Sequence, residues 1–152
     1  MKRSLKIIFS LALVLVVALS AVGCKFTLGS VEITKIDGEV FYEIHPNDTL
    51  MTLTETTTFA DYLNALKANG ELEFEAHDTE YGLFIDSIEG VEPGANQYWE
   101  IFTNVEPDEI TDWTDIYELN DVTYYSASVG LSGILVQEGV VLMIKLGSWE
   151  AM

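Results

Sequence analysis

Apolar and polar residues alternate along much of the chain after residue 30, which is the spacing of strands that bury one face. Val31 to Ile44 alternates on both sides of Asp37-Gly38, a pair typical of hairpin turns, and predicts two antiparallel strands. Leu50 to Thr56 alternates again and predicts a third strand. Further strands are predicted at 71–77, 81–88, 97–103, 123–129 and 140–146.

One segment has the spacing of an amphipathic helix instead. Phe59, Leu63 and Leu66 recur at i, i+4 and i+7, so they share one helical face. Thr58 is suited to the N-cap with Asp61 three residues on, and Gly70 follows the last turn. The sequence therefore predicts a single helix of about three turns.

Strands, one helix and then more strands predict an α+β fold. We expect a β-grasp-like domain over residues 31–152, in which a mixed or antiparallel sheet has one main helix packed across it. The acidic stretch from Glu106 to Leu119 is an insertion that fits either a short helix or a packed loop.

The N-terminus has the layout of a secretory signal. Lys2, Arg3 and Lys6 precede an apolar run, and the run ends in Ala21-Val22-Gly23-Cys24. This ending resembles the bacterial lipoprotein signal, in which small residues precede a cysteine that receives a diacylglycerol. We expect a signal peptide at 1–23, a lipidated Cys24 with a short tether over 24–30, and an extracytoplasmic protein anchored in the cell membrane by its lipid. The alternative is an uncleaved membrane anchor.

Charge narrows the classes of partner. The chain has 25 Asp and Glu residues against 7 Lys and Arg, for a formal charge of −18. A product that starts at Cys24 keeps four lysines, no arginine and all 25 acidic residues, so its formal charge is −21. Such a surface repels phosphate backbones, which excludes nucleic acid as a partner.

No catalytic motif stands out. The sequence has no G-x-S-x-G elbow, H-E-x-x-H pair or P-loop, so we expect no enzyme activity. His45 and His77 are better explained as surface histidines than as metal ligands, because nothing pairs them. The acidic insertion could hold calcium, but it lacks the EF-hand order and fits a solvated loop better. We therefore predict no metal site.

Four segments carry a resemblance to a known family. They are TFADYLNALKANG, YGLFIDSIEGV, QYWEIFTN and SVGLSGILVQEGVVLMIKLGSW, and they occur in this order between about Thr57 and Trp149. Together they resemble the C-terminal domain of transcobalamin and intrinsic factor, and the bacterial surface lipoproteins that carry this domain alone. The last segment resembles the closing hairpin of that family, with its turn at Glu138-Gly139.

The resemblance implies a non-catalytic binding module. In the animal carriers this domain covers one face of the corrin ring, while a separate helical domain supplies the other face. The implied ligand is cobalamin or a related corrinoid, and binding by this chain alone would be weak. Trp99 corresponds to the tryptophan of the family's aromatic strand, and Tyr98, Leu131 and Trp149 complete the expected ligand surface.

Plainer interpretations exist for each aromatic residue. Tyr98 and Trp99 are adjacent, so on a strand they point to opposite faces, and Trp99 could be core while Tyr98 is half-buried. Trp113 could anchor the insertion, and Trp149 could plug the end of the sheet. A glycan ligand that stacks on the same rings remains open. So does a structural or adhesive surface domain that contacts an envelope protein through a sheet edge.

Overall fold

The structure is a computed structural model that describes residues 25–28 and 30–149. Its elements in chain order are β1 (Lys25–Leu28), β2 (Val31–Ile36), β3 (Glu39–Ile44), α1 (Phe59–Asn69), β4 (Phe74–Thr79), β5 (Gly82–Ile88), β6 (Gln97–Thr103), β7 (Ile116–Leu119), β8 (Val122–Ser126), a 3₁₀ turn (Leu131–Gly133) and β9 (Leu142–Ser148). The predicted signal peptide and the lipidated Cys24 lie outside the described residues.

The strands form one large antiparallel sheet and one hairpin. The large sheet has seven strands in the order β1-β2-β3-β9-β6-β8-β7, and β4 pairs with β5 in a separate two-stranded sheet. Every pairing within the two sheets is antiparallel. The predicted α+β class, with an antiparallel sheet and one main helix, is confirmed.

The helix begins and ends where its capping residues predict. The Thr58 hydroxyl accepts a bond from the Asp61 N–H at 3.2 Å, and the Asp61 carboxylate accepts one from the Thr58 N–H at 2.9 Å. Gly70 ends α1 in the left-handed conformation, at φ +75°. The apolar face of α1 is buried against the large sheet, in a core that also takes in the β4–β5 hairpin.

Both faces of the large sheet are buried at its centre. Neighbouring residues of a strand point to opposite faces, so each central strand contributes side chains to two cores. Tyr42 and Ile44 of β3 face α1 in the main core. Phe41 lies on the other face in a second core with Phe102 and Tyr124. The sheet therefore curls, so that β7 and β8 cover the face that α1 leaves free.

A buried carboxylate joins the curled strands to β3. Glu43 is 3% exposed, and it accepts hydrogen bonds from Tyr124 Oη at 2.6 Å and Asn120 Nδ2 at 3.2 Å. Thr34 Oγ1 donates a longer bond of 3.5 Å. Burial and the bond to Glu43 raise the pKa of Tyr124 above its ordinary value.

The structure differs from the sequence prediction in the segment from Leu50 to Thr56, which forms no strand. Its threonines bond locally instead: the Thr54 N–H donates to Thr57 Oγ1 at 2.9 Å, and the Thr57 N–H donates to the Thr54 carbonyl at 3.0 Å. Side-chain bonds of this kind compete with a strand ladder. Leu50 and Leu53 still pack against the main core.

Three further segments can be compared with the sequence interpretation. The tether residues Lys25–Leu28 form β1, which pairs with β2. The insertion contains no helix and ends in β7. The first arm of the expected closing hairpin does not pair with β9, because the Val136 N–H donates to the Thr57 carbonyl at 2.8 Å beside the start of α1. No helix within residues 25–28 and 30–149 has the length and apolar character needed to cross a membrane.

Candidate functional site

A cleft opens beside β6 because β8 pairs with only one end of that strand. On one side, β9 pairs with β6 along its full length, from Gln97 to Thr103. On the other side, β8 pairs at Phe102 and Thr103, and the Ala127 N–H then donates to the Ile101 carbonyl at 2.8 Å. Beyond Ala127 the chain crosses to the tip of the β4–β5 hairpin.

A close main-chain contact fixes that crossing. The Gly130 N–H donates to the Tyr81 carbonyl at 2.8 Å, and the Leu83 N–H donates to Ser132 Oγ at 3.3 Å. A Cβ on Gly130 would lie 2.9 Å from the Gly82 carbonyl carbon and 2.9 Å from the Leu83 oxygen. Glycine is therefore the residue that lets the two segments approach this closely.

The resulting cavity, which we call the β6 cleft, has a volume of about 1030 Å³. It is bounded by β6, the β4–β5 hairpin, residues 113–115 and residues 126–129. This volume is at the upper end of the roughly 300–1,000 Å³ of typical ligand pockets.

Six of the residues that line the cleft are aromatic. They are Tyr81, Phe84, Tyr98, Trp99, Phe102 and Trp113. Trp113 is 90% exposed and Tyr81 is 64% exposed, so both offer open ring faces. A turn fixes the main chain at Trp113, because the Thr114 N–H donates to the Thr111 carbonyl at 3.0 Å and the Trp113 N–H donates to Thr111 Oγ1 at 3.3 Å.

The charged groups of the cleft are mainly acidic. Glu80, Asp86, Glu100 and Asp115 line it together with His77, and no lysine or arginine is among the lining residues in the described part of the chain. His77 Nδ1 lies 2.7 Å from Asp86 Oδ1. The cleft therefore favours cationic groups.

Glu100 differs from the other three acids because a lysine side chain matches its charge. Lys145 Nζ lies 2.7 Å from its carboxylate, and both side chains are only 14% exposed. Tyr98 Oη donates to Glu100 Oε1 at 2.7 Å. Burial and this bond raise the pKa of Tyr98 to about 12.

Two of the four residues expected to bind the ligand line the cleft. Tyr98 is half-buried and its ring stacks on Trp149, with centroids 4.8 Å apart and planes 13° apart. Trp99 is 7% exposed and packs edge-on against Tyr42 at 6.0 Å. Its Nε1 is buried without a hydrogen-bond partner in the described part of the chain.

The other two expected residues lie away from the cleft. Leu131 is fully buried in the main core. Trp149 is 55% exposed, is not among the described residues that line the cleft, and stacks on the ring of Tyr98. That these residues contact a ligand stays a prediction.

The sequence interpretation missed the most open aromatics of the site. It treated Trp113 as a possible loop anchor, whereas the structure leaves its ring almost wholly exposed. It did not single out Tyr81, which precedes a strand at a turn. An apolar residue isolated among acids was the available signal for Trp113, but the sequence alone cannot place it across a cleft from Tyr81.

No protein-family model, curated protein or solved structure matches the chain. Within residues 25–28 and 30–149, no group of three or more His, Cys, Asp or Glu side chains is arranged to hold a metal ion.

Proposed function

We propose that the chain is a non-catalytic, extracytoplasmic binding module, held at the membrane by a lipid on Cys24, whose ligand occupies the β6 cleft. The observation that carries this proposal is the aromatic cavity beside β6, with the open rings of Trp113 and Tyr81 at its wall. The β-grasp-like architecture expected from the sequence is part of the same proposal.

The exposed aromatic rings beside the cavity are better explained by ligand binding than by a role in the stability of the fold. Trp113 contributes little to the core because nine-tenths of its surface is exposed. Burying an aromatic ring against a ligand removes a large apolar area from water, and this stabilises the complex by about 25 cal/mol per Å² of buried area. A bound ligand could therefore bury more of the Trp113 surface than the fold does.

The resemblance to the transcobalamin C-terminal domain supports a corrinoid as the ligand. A flat ring could stack on Trp113 or Tyr81, and a glycan could use the same faces. Glu100 is already bonded to Lys145 and Tyr98. This fits a role in positioning a ligand better than a role as a catalytic acid or base.

Equilibrium dialysis with cobalamin, cobinamide and a neutral oligosaccharide tests this proposal. Replacing Trp113 with Leu should weaken binding about tenfold, or roughly 1.4 kcal/mol, because a stacking face is lost. Ile110→Ala is the matched control, since Ile110 is an exposed residue of the same insertion and does not line the cleft. Absence of binding up to about 1 mM would remove these ligands.

A second candidate function is supported by a different observation. The edge of β6 that faces the cleft has no paired strand before Phe102 within the described residues. Open strand edges recruit partner chains. This favours a structural or adhesive domain that contacts an envelope protein.

A further inference from the structure

On the cleft side, part of the β6 main chain has no paired strand within the described residues. The Ile101 carbonyl bonds to Ala127, which shows that the main-chain groups of Ile101 face the cleft side. Along a strand, the main-chain N–H and C=O groups of successive residues point to opposite sides. Those of Trp99 therefore point to the cleft, as those of Ile101 do, while those of Tyr98 and Glu100 point to β9. Among the described residues, no strand pairs with Trp99 on that side.

The available edge is short and well defined. The Gln97 N–H is already used, because it donates to the Gly94 carbonyl at 3.0 Å. The free edge therefore runs from the Gln97 carbonyl to the Ile101 N–H. A peptide of three or four extended residues, about 10–13 Å long, matches this edge.

The surroundings specify the side chains of such a peptide. Successive side chains of an added strand would point to opposite faces of the sheet. The hairpin side of the cleft carries Glu80, together with Asp86 in contact with His77, and the side of the insertion carries Asp115 and Trp113. Lysine or arginine would find a carboxylate on either wall, and the open rings of Trp113 and Tyr81 would contact a cation.

We propose that the outer edge of β6 accepts an extended basic peptide segment as an added strand in the cleft. This inference rests on the proposed binding function of the same cleft, and it deepens the second candidate function by naming the partner chemistry. Main-chain hydrogen bonds to Trp99 and Ile101 would provide the affinity. The acidic residues of the cleft walls would favour a peptide with positively charged side chains.

The test uses the full chain in non-ionic detergent and a capped six-residue peptide of alternating lysine and valine. Isothermal titration should detect binding below 1 mM. The same peptide with every amide N-methylated has equal charge and equal side chains but no donors, and it should bind at least tenfold more weakly. A glutamate–valine peptide should not bind.

Two further measurements locate the bound peptide in the cleft, and the first of them reports main-chain pairing directly. Amide exchange at Trp99 and Ile101 should slow on binding, while exchange at Glu100, which already faces β9, should not change. Asp115→Asn should weaken binding about threefold. Asp108→Asn, an exposed acid that does not line the cleft, should have no effect.

The outcomes separate this inference from the proposed function. Equal binding of the methylated and unmethylated peptides, or unchanged exchange at Trp99, would overturn strand addition. If cobalamin or the oligosaccharide binds and the lysine peptide does not, the binding function stands and the peptide inference fails. If none of the probes binds, both fail.

Discussion

Tyr124→Phe tests whether the buried carboxylate of Glu43 holds the curled part of the sheet. The hydroxyl of Tyr124 donates to Glu43 at 2.6 Å, and this bond joins β8 to β3 across the second core. The substitution keeps the ring that packs in that core and removes only the hydrogen bond. Asn120 and Thr34 then remain as the donors to the carboxylate.

The expected loss follows from the charge of the acceptor. A hydrogen bond to a charged group contributes about 1.5–3 kcal/mol, so we expect the free energy of unfolding to fall by about 2 kcal/mol. In urea, with a slope near 2 kcal/mol/M, the midpoint should fall by about 1 M for the fragment 25–152. Tyr125→Phe is the control. The hydroxyl of Tyr125 makes no hydrogen bond within the described residues, and its loss should cost less than about 0.5 kcal/mol.

The pH dependence gives a second readout. Because the pKa of Tyr124 is raised in the folded state, the folded chain keeps this proton at a pH where the unfolded chain has lost it. The contribution of Tyr124 is therefore full below about pH 10 and falls above it, by up to about 1.4 kcal/mol per pH unit. The variant lacks this loss, so the two stability curves should converge in alkali. A constant difference, or an unchanged midpoint at neutral pH, would refute the reasoning.

Three other substitutions test the site and its supports. Gly130→Ala should cost about 1–3 kcal/mol in urea denaturation, because its Cβ would lie 2.9 Å from main-chain atoms of the hairpin; an unchanged midpoint would show that the hairpin can shift. Thr58→Ala should cost about 1 kcal/mol at pH 7. The main-chain N–H of Thr58, which the substitution keeps, and the Thr58 hydroxyl, which it removes, both lower the pKa of Asp61. The benefit of the hydroxyl bond is lost as the pH falls through that pKa, so part of the penalty should disappear in acid; thermal denaturation at pH 7 and pH 2 checks the sign. Lys145→Met should cost about 2–3 kcal/mol by leaving the charge of Glu100 without its ion-pair partner, and adding Glu100→Gln should recover most of it; additive losses in the double-mutant cycle would contradict this.

Elements specified by local chemistry could be predicted from the sequence. Thr58, Asp61 and Gly70 define both ends of α1 through bonds between near neighbours. Asp37-Gly38 forms the predicted turn, with positive φ at both residues. In these cases the decisive contacts lie within a few residues along the chain, so the pattern alone identifies the element.

Features that depend on distant contacts could not be predicted in this way. Leu50 to Thr56 has strand-like alternation, but no sheet edge receives it and its threonines bond locally. The cleft exists because the chain leaves β6 after Ala127 and bonds to Tyr81. Nothing in the sequence near Tyr98 and Trp99 indicates that departure, so their alternation predicted opposite faces but not the cavity beside them.

The arrangement of the cores limits how this domain can recognise a partner. At the centre of the large sheet, α1 and the β4–β5 hairpin cover one face, and β7 and β8 cover the other. Within the described residues, the centre of the sheet therefore has no open face on which a flat ring could stack. What the described residues leave open at the centre is the edge of β6, and the most exposed tryptophan of the fold stands beside it. Recognition by main-chain pairing at that edge therefore fits this structure better than stacking on a sheet face, and weaker binding of the N-methylated peptide would support it.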